Sequence, residues 1–162
     1  MPKIAIFADV QNIYYTVKES FSCHFNYCEL WRQLSLEGDI VLANAYAIDR
    51  NDAQQRKFQQ TLHNIGFDIK LKPYIQRSDG SAKGDWDVGI TIDVMDAFSS
   101  ASRSVDWVVL LSGDGDFDRL LRRVSESGEV QTRVYGATAL TAQSLIEATD
   151  EFRPIGGSLL LG

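Results

Sequence analysis

Short apolar runs alternate along the chain with segments in which apolar residues recur every three or four positions. Residues 4–8 and 108–111 are continuously apolar, which predicts two strands buried on both faces of a sheet. Residues 40–48 are apolar enough for another central strand. Residues 67–74 and 130–135 alternate between apolar and polar side chains, which predicts outer strands with one solvated face.

The segments between these strands have the spacing and end signals of amphipathic helices. Asn26 followed by Glu29 has the form of a capping box, Asn51 or Asp52 is suited to cap a later helix, and Gly66 is suited to end it. The first predicted helix ends near residue 19, and the others cover about 27–37, 52–64, 87–98, 116–127 and 140–148. A short extended piece follows at 152–155, where Pro154 disfavours a central strand.

Strands and helices therefore alternate, which predicts an α/β fold with a mostly parallel central sheet and helices on both faces. The length of 162 residues fits one domain, which we place at 1–155, followed by a weakly held tail at 156–162. No apolar segment approaches the roughly 20 residues that span a bilayer. The start also lacks a signal-peptide pattern, so we expect a cytoplasmic protein that does not contact a membrane.

Aspartates mark the ends of the predicted strands. Asp9, Asp49 and Asp114 follow three strands, and Asp87 and Asp116 begin two helices. Because the carboxyl ends of parallel strands meet at one edge, these carboxylates should converge there. Crowded carboxylates repel one another unless a cation holds them, so we expect an Mg²⁺ or Mn²⁺ site able to hydrolyse a phosphodiester. Helix capping is the alternative for each acid taken singly.

Other residues bear on this site less directly. Asp93 lies about 120° around its helix from Asp87, so it should support the site, pair with a basic side chain or remain solvated. The glycines of the 113–116 turn, Gly-Asp-Gly-Asp, should let backbone and substrate approach closely. No glycine-rich phosphate loop occurs, so nucleotide cofactors have no support. Cys23 and Cys28 flank His24, which is weak support for zinc, and we expect reduced thiols.

The charge is distributed unevenly. The net charge is −6, but residues 50–83 contain seven basic and three acidic residues, a local balance of +4 that leaves −10 for the rest. A basic segment can hold phosphates on an acidic protein, and cations can fill an acidic pocket. An ordinary solvated surface explains the same distribution equally well. The alternating outer strands permit a homodimer without requiring one.

Three blocks resemble a known family: IAIFADVQNIYY at 4–15, KGDWDVGITIDVMDAF at 83–98, and the segment 106–136 around SGDGDFD. They are similar to the signature blocks of the NYN domain family, LabA-like branch, a relative of the PIN nucleases. The resemblance covers roughly residues 3 to 136. It implies a three-layer, Rossmann-like α/β/α sandwich and a metal-dependent ribonuclease or RNA-processing role.

The resemblance also implies roles for particular residues. It makes Asp9, Asp87, Asp114 and Asp116 the metal ligands and catalytic residues, with Asn12 beside Asp9 and Ser112 positioning the turn. Lys83 matches the lysine that precedes the helix acid, but its spacing is one residue longer than usual, which leaves open whether Asp85 or Asp87 is the ligand. Asp49 and Asp118 are lesser candidates.

Three functions are consistent with these features. The first is a Mg²⁺- or Mn²⁺-dependent endoribonuclease in which Arg50, Arg77 and Lys83 support the RNA backbone. The second is a catalytically silent RNA-binding or regulatory module of the same fold. The third is a small-molecule phosphohydrolase, although the sequence has no loop that would recognise a base or ribose.

Overall fold

The computed structural model describes residues 1–73, 85–99 and 105–162, together with the backbone of 75–76 and 82–83. Its helices are α1 (Val10–Phe21), α2 (Tyr27–Glu37), α3 (Ala53–Ile65), α4 (Asp87–Ser99), α5 (Asp118–Ser125) and α6 (Gln143–Ala148). Its strands are β1 (Lys3–Asp9), β2 (His24–Phe25), β3 (Asp39–Asp49), β4 (Asp68–Pro73), β5 (Ile75–Gln76), β6 (Ala82–Lys83), β7 (Trp107–Leu111), β8 (Gln131–Gly136), β9 (Glu151–Pro154) and β10 (Leu160–Leu161).

A six-stranded sheet in the order β4-β3-β1-β7-β8-β9 forms the middle layer. All neighbouring strands in it pair in parallel, so the predicted mostly parallel sheet is confirmed. Alternate residues of β1 pack on opposite faces: Ile4 and Ile6 pack with α1, α2 and α3, whereas Ala5 and Phe7 pack with α4, α5 and α6. The molecule is therefore an α/β/α sandwich, as expected.

The helix end signals act where the sequence places them. The Asn26 side chain accepts a hydrogen bond from the Glu29 N–H at 3.0 Å, and Asp52 accepts one from the Gln55 N–H at 2.7 Å. Gly66 ends α3 with a φ of 135°, a conformation that favours glycine. Asn26 does not complete a capping box, because its own N–H bonds to the Leu159 carbonyl and the Glu29 carboxylate bonds to Arg32.

Two predictions about the carboxyl-terminal part are wrong. β8 is not an outer strand, because β9 pairs with it and forms the edge. Two of its polar residues, Thr132 and Arg133, are buried with partners: the Thr132 N–H bonds to Asp150, and Arg133 lies over the Trp107 ring. The segment after residue 155 is not a loose tail. Leu159 is buried, and β10 pairs with β2 in a two-stranded ribbon.

The other outer strand is confirmed, since β4 forms the opposite edge of the sheet. Within the ranges that the structure describes, no helix is long and apolar enough to cross a membrane.

Candidate metal centre

The winding of the chain changes direction across the sheet between β1 and β7. From β1 the chain passes to β3 and β4 on one side, and it then returns through α4 to β7, β8 and β9 on the other. In an open parallel sheet, such a switch point leaves a crevice beyond the carboxyl ends of the two central strands. Asp9 ends β1, and residues 112–114 follow β7 directly, so both segments border this crevice.

Three carboxylates meet at the crevice. Asp114 lies in the turn after β7, Asp116 lies in the 3₁₀ turn that follows it, and Asp87 is the first residue of α4. One oxygen from each lies within 4.8 Å of the other two. Among the residues that the structure describes, no other group of three or more His, Cys, Asp or Glu has this spacing. Three oxygen donors so close together can hold a hard divalent cation.

Asp9 adds a buried carboxylate beside these three. It is only 9% exposed, and its Oδ2 accepts a hydrogen bond from Ser112 Oγ at 3.2 Å. Burial raises the pKa of Asp9 to about 6, although the Ser112 hydroxyl and the nearby Asn12 N–H both lower it. The Asn12 contact lacks the geometry of a side-chain cap hydrogen bond, so Asp9 is not an ordinary helix cap.

The negative charge of the Asp87 carboxylate is also poorly stabilised by its surroundings. Burial and then the negative charge of Asp114 raise the pKa of Asp87 to about 7, and Asp85 and Asp9 act in the same direction. The ion pairs between described residues involve other acids. Because no Lys, Arg or His in the described ranges forms an ion pair with these carboxylates, the donor set fits a hard divalent ion, which would stabilise the ionised forms.

Hydrogen bonds fix the turn that carries Asp114. Ser112 is fully buried, and its hydroxyl accepts the Asp114 N–H at 3.1 Å while it donates to Asp9. Asn12 Oδ1 accepts the Gly113 N–H at 2.8 Å, and Asp114 Oδ1 accepts the Asp116 N–H at 2.9 Å. Ser112 and Asn12 therefore tie the ends of β1 and β7 to each other.

The glycines of this turn serve packing within the protein. A Cβ at Gly113 would lie 2.7 Å from the Leu140 carbonyl oxygen, and one at Gly115 would lie 2.8 Å from Ala142 Cβ. The Ala142 N–H also donates to the Gly113 carbonyl at 3.0 Å. The turn thus packs tightly on the segment before α6, so its glycines let another backbone segment approach closely, as expected. Close approach of a substrate stays a prediction.

A set of contacts that the sequence did not indicate anchors the start of α4. Trp86 donates from Nε1 to the Ala47 carbonyl at 2.9 Å, and Lys72 Nζ lies 4.5 Å from the Trp86 ring centroid. Tyr46 packs against Trp86 and donates from its hydroxyl to Asp93 at 2.7 Å. Asp93 therefore pairs with a tyrosine, not with a basic residue. These contacts to β3 and β4 set the position of α4 and hence of Asp87.

The remaining candidate acids lie outside the three-carboxylate group. Asp49 is exposed and accepts the Asn51 N–H at 2.9 Å in the turn after β3. Asp118 accepts the Arg119 N–H at 2.6 Å at the start of α5. Asp85 is exposed, and its carboxylate accepts the Asp87 N–H at 3.4 Å. Of the two helix acids left open by the sequence, the structure thus brings Asp87 into the cluster and leaves Asp85 beside it.

Comparison with known proteins identifies the family. The sequence profile of the NYN domain matches residues 3–156. The chain belongs to the NYN domain family. It is 26% identical over 158 residues to the low amplitude and bright protein LabA of Synechococcus elongatus, covering 93% of this chain and 82% of that protein. This NYN domain also resembles the crystal structure of a protein of unknown function from Vibrio parahaemolyticus. That match has a TM-score of 0.88 and 48% identity, and it covers 99% of this chain and 96% of the other.

The predicted basic residues of this NYN domain are only partly described. Arg50 lies just after β3 at the carboxyl edge, where its guanidinium donates to the Tyr15 hydroxyl at 3.4 Å. Arg77 and the side chain of Lys83 lie outside the described residues, although the Lys83 backbone pairs with Ile75.

Both cysteines, Cys23 and Cys28, are free thiols.

Proposed function

We propose that this NYN domain is a Mg²⁺- or Mn²⁺-dependent endoribonuclease whose metal ligands are Asp9, Asp87, Asp114 and Asp116. The observation that carries the proposal is the convergence of the last three carboxylates within 4.8 Å, with buried Asp9 beside them. The four carboxylates come from β1, α4 and the turn after β7, so the fold assembles them at the switch point, where open α/β sheets bind ligands. Membership of the NYN family supports a nucleic-acid substrate.

The donor set favours the choice of cation. The group contains carboxylate oxygens and no thiolate or imidazole within the described part of the chain, which suits Mg²⁺ or Mn²⁺ better than a soft metal. When bound, such an ion supplies Lewis acidity to the phosphate oxygens and lowers the pKa of water.

The protein's own groups would position the substrate and the ligands. Ser112 holds the Asp9 carboxylate and the Asp114 backbone in fixed relation. Exposed Asp116 leaves one side of the cluster open to a phosphodiester. Arg50, at the same edge of the sheet, places a guanidinium where it can pair with a phosphate of the strand. Asp85 is left in a supporting role, close enough to influence the charge of Asp87.

Cleavage of labelled single-stranded RNA by the purified protein tests the proposal, with Asp118→Asn as the matched control. Asp114→Asn should lower the rate at least about 100-fold because it removes a central ligand. Asp118→Asn should remain near wild type, because Asp118 lies nearby but outside the cluster. EDTA should abolish cleavage, and added Mg²⁺ or Mn²⁺ should restore it.

Two outcomes would contradict the nuclease assignment. Cleavage that Asp114→Asn leaves unchanged would mean that the activity does not use this cluster. RNA binding without cleavage in the presence of either metal would instead identify a silent RNA-binding or regulatory module.

A further inference from the structure

A cleft lies on the face of the sheet opposite α4, between α1, α3 and the β2–β10 ribbon. Its volume is about 520 Å³, within the range of sites for small organic ligands. Aromatic side chains from three separate elements line it: Tyr14 and Tyr15 from α1, His24 from β2 and Phe58 from α3. The walls are thus flat and mostly apolar, with polar groups at the ring edges.

These rings are exposed to an unusual degree for side chains of their size. Tyr15 is 49% exposed, Tyr14 is 42% exposed and Phe58 is 37% exposed. The Tyr14 and His24 rings are nearly parallel, with an interplanar angle of 19° and centroids 5.6 Å apart. Exposed, ordered aromatic faces are the surfaces on which proteins stack unpaired bases of single-stranded nucleic acids.

Polar groups at the cleft suit the edge of a base. Gln11 and Gln54 both line it, and neither side chain makes a hydrogen bond to another described residue. Each amide offers two donors and an acceptor, the groups that hydrogen-bond to base edges. Gln55, by contrast, is occupied, because it donates to the Ile48 carbonyl and accepts the Arg50 N–H.

The cleft adjoins the first turn of α1, which begins directly after Asp9, the buried carboxylate beside the cluster. Val10 and Gln11 line the cleft and follow Asp9 directly, while Asn12 bonds to the Gly113 N–H beside the cluster. Arg50 also lines the cleft and places a positive charge at its wall. An RNA strand with one phosphate at the carboxylates and a base in the cleft would run along the first turn of α1, beside the Arg50 guanidinium.

From these observations we infer that the cleft binds an unpaired base of the RNA strand that the carboxylate cluster cleaves. This inference rests on the proposed nuclease function and adds a base-binding subsite to it. The occupant is a nucleobase because flat aromatic walls, two amides that bond to no other described side chain or backbone, and an adjacent guanidinium together match a base attached to a phosphate chain.

Binding of labelled ten-nucleotide oligouridylate and oligoadenylate, measured by fluorescence anisotropy in EDTA, separates the two proposals, because it requires no cleavage. Tyr14→Leu removes the ring and should weaken binding about tenfold, while Tyr14→Phe keeps the ring and should bind like wild type. Phe21→Leu is the matched control, since Phe21 is on the same helix and 39% exposed but outside the cleft. It should have no effect.

Photocrosslinking of 4-thiouridine RNA to the wild-type protein gives a second measurement that does not depend on a variant folding. The crosslink should fall on the tryptic peptide 4–18, which contains both cleft tyrosines.

The cleft inference fails if Tyr14→Leu binds as well as wild type, if Phe21→Leu loses as much affinity, or if the crosslink maps elsewhere. It also fails if the wild type binds neither oligonucleotide, as expected for a cleft that takes a peptide or a small metabolite. Normal binding to the cleft without cleavage in Mg²⁺ or Mn²⁺ would instead overturn the nuclease proposal alone.

Discussion

The hydroxyl of Ser112 donates to the carboxylate of Asp9 at 3.2 Å, and both side chains are buried between the ends of β1 and β7. This bond joins the two strands at the switch point of the sheet. Because Ser112 also accepts the Asp114 N–H, a single hydroxyl links a buried acid to the turn that carries the central carboxylate.

Ser112→Ala should therefore destabilise the protein. It removes the donor to a buried carboxylate and the acceptor of a backbone N–H, so the free energy of unfolding should fall by about 1–3 kcal/mol near neutral pH. Urea denaturation measures the change. Ser35→Ala is the control, because the exposed Ser35 hydroxyl bonds only to the carbonyl one helical turn earlier, and it should change stability by less than about 0.5 kcal/mol. Equal effects of the two substitutions would contradict a special role for Ser112.

Asp87 and Asp85 form a matched pair for testing the metal ligands. Asp87 belongs to the three-carboxylate group, whereas Asp85, two residues earlier, lies outside it. Asp87→Asn should weaken Mn²⁺ binding at least about tenfold, because an amide is a poorer ligand for a hard cation. Asp85→Asn should weaken it less than about threefold, through the loss of one nearby exposed charge. Calorimetric titration of Mn²⁺ into each variant measures these affinities. A larger loss of Mn²⁺ affinity in Asp85→Asn than in Asp87→Asn would make Asp85 the ligand instead.

Protonation of Asp9 should make the stability of the cation-free protein depend on pH. Burial raises the pKa of Asp9 from 3.8 to about 6, so the folded state binds this proton more tightly than the unfolded state does. The resulting stabilisation is complete below about pH 4 and is lost as the pH rises through about 6. It amounts to roughly 3 kcal/mol at most. Burial and the negative charge of Asp114 raise the pKa of Asp87 to about 7, which adds a contribution of the same sign that is lost as the pH rises through that value. Solvent screening reduces this contribution, because Asp87 is only half-buried.

The measurement is the free energy of unfolding of the wild type minus that of Asp9→Asn, in EDTA across this pH range. The difference should become less favourable to the wild type as the pH rises, because only the wild type must ionise a buried acid. Saturating Mn²⁺ should reduce the loss of stability. A difference that stays constant with pH would show that Asp9 titrates normally.

Removal of the hydroxyl group from two buried tyrosines should affect the stability of the protein differently. The Tyr46 hydroxyl donates to Asp93 and accepts from Asn44 at 3.0 Å, whereas that of Tyr27 is buried without a partner among the described residues. Tyr46→Phe should lower the free energy of unfolding by about 1–3 kcal/mol, because it leaves polar partners unpaired. Tyr27→Phe should be neutral or slightly stabilising, since it removes an unsatisfied buried group. Thermal and urea unfolding measure both, and a large loss in Tyr27→Phe would reveal a partner for its hydroxyl.

The sequence predicted the strands at the centre of the sheet and the acids that follow them. Continuous apolar runs identify β1 and β7, and parallel pairing brings Asp9 and Asp114 to one edge. The same pattern led us to expect Asp49 at the site as well. It also ends a strand, but β3 lies on the far side of β1 from β7, so its carboxylate serves a local turn. Residue pattern indicates which acids reach the carboxyl edge, whereas strand order decides which of them meet.

What the sequence missed depends on contacts between distant elements. The alternating polar residues of β8 suggested an outer strand. They are accommodated inside the sheet because later segments supply partners for them, as Asp150 does for Thr132. The aromatic cleft is assembled from α1, β2 and α3, and none of these alone has the signature of a binding site. The contacts of Trp86 with Ala47 and Lys72 likewise have no local pattern.

Trp86 gives the protein a fluorescent reporter of its own. Its indole is the side chain immediately before Asp87, bonds to β3 and packs on Tyr46, so charge or helix movement at the cluster should alter its emission. The other two tryptophans, Trp31 and Trp107, pack against Phe67 and Arg133 in other parts of the molecule. Occupancy of the carboxylate cluster can therefore be followed optically in the unlabelled chain, in real time and without a substrate.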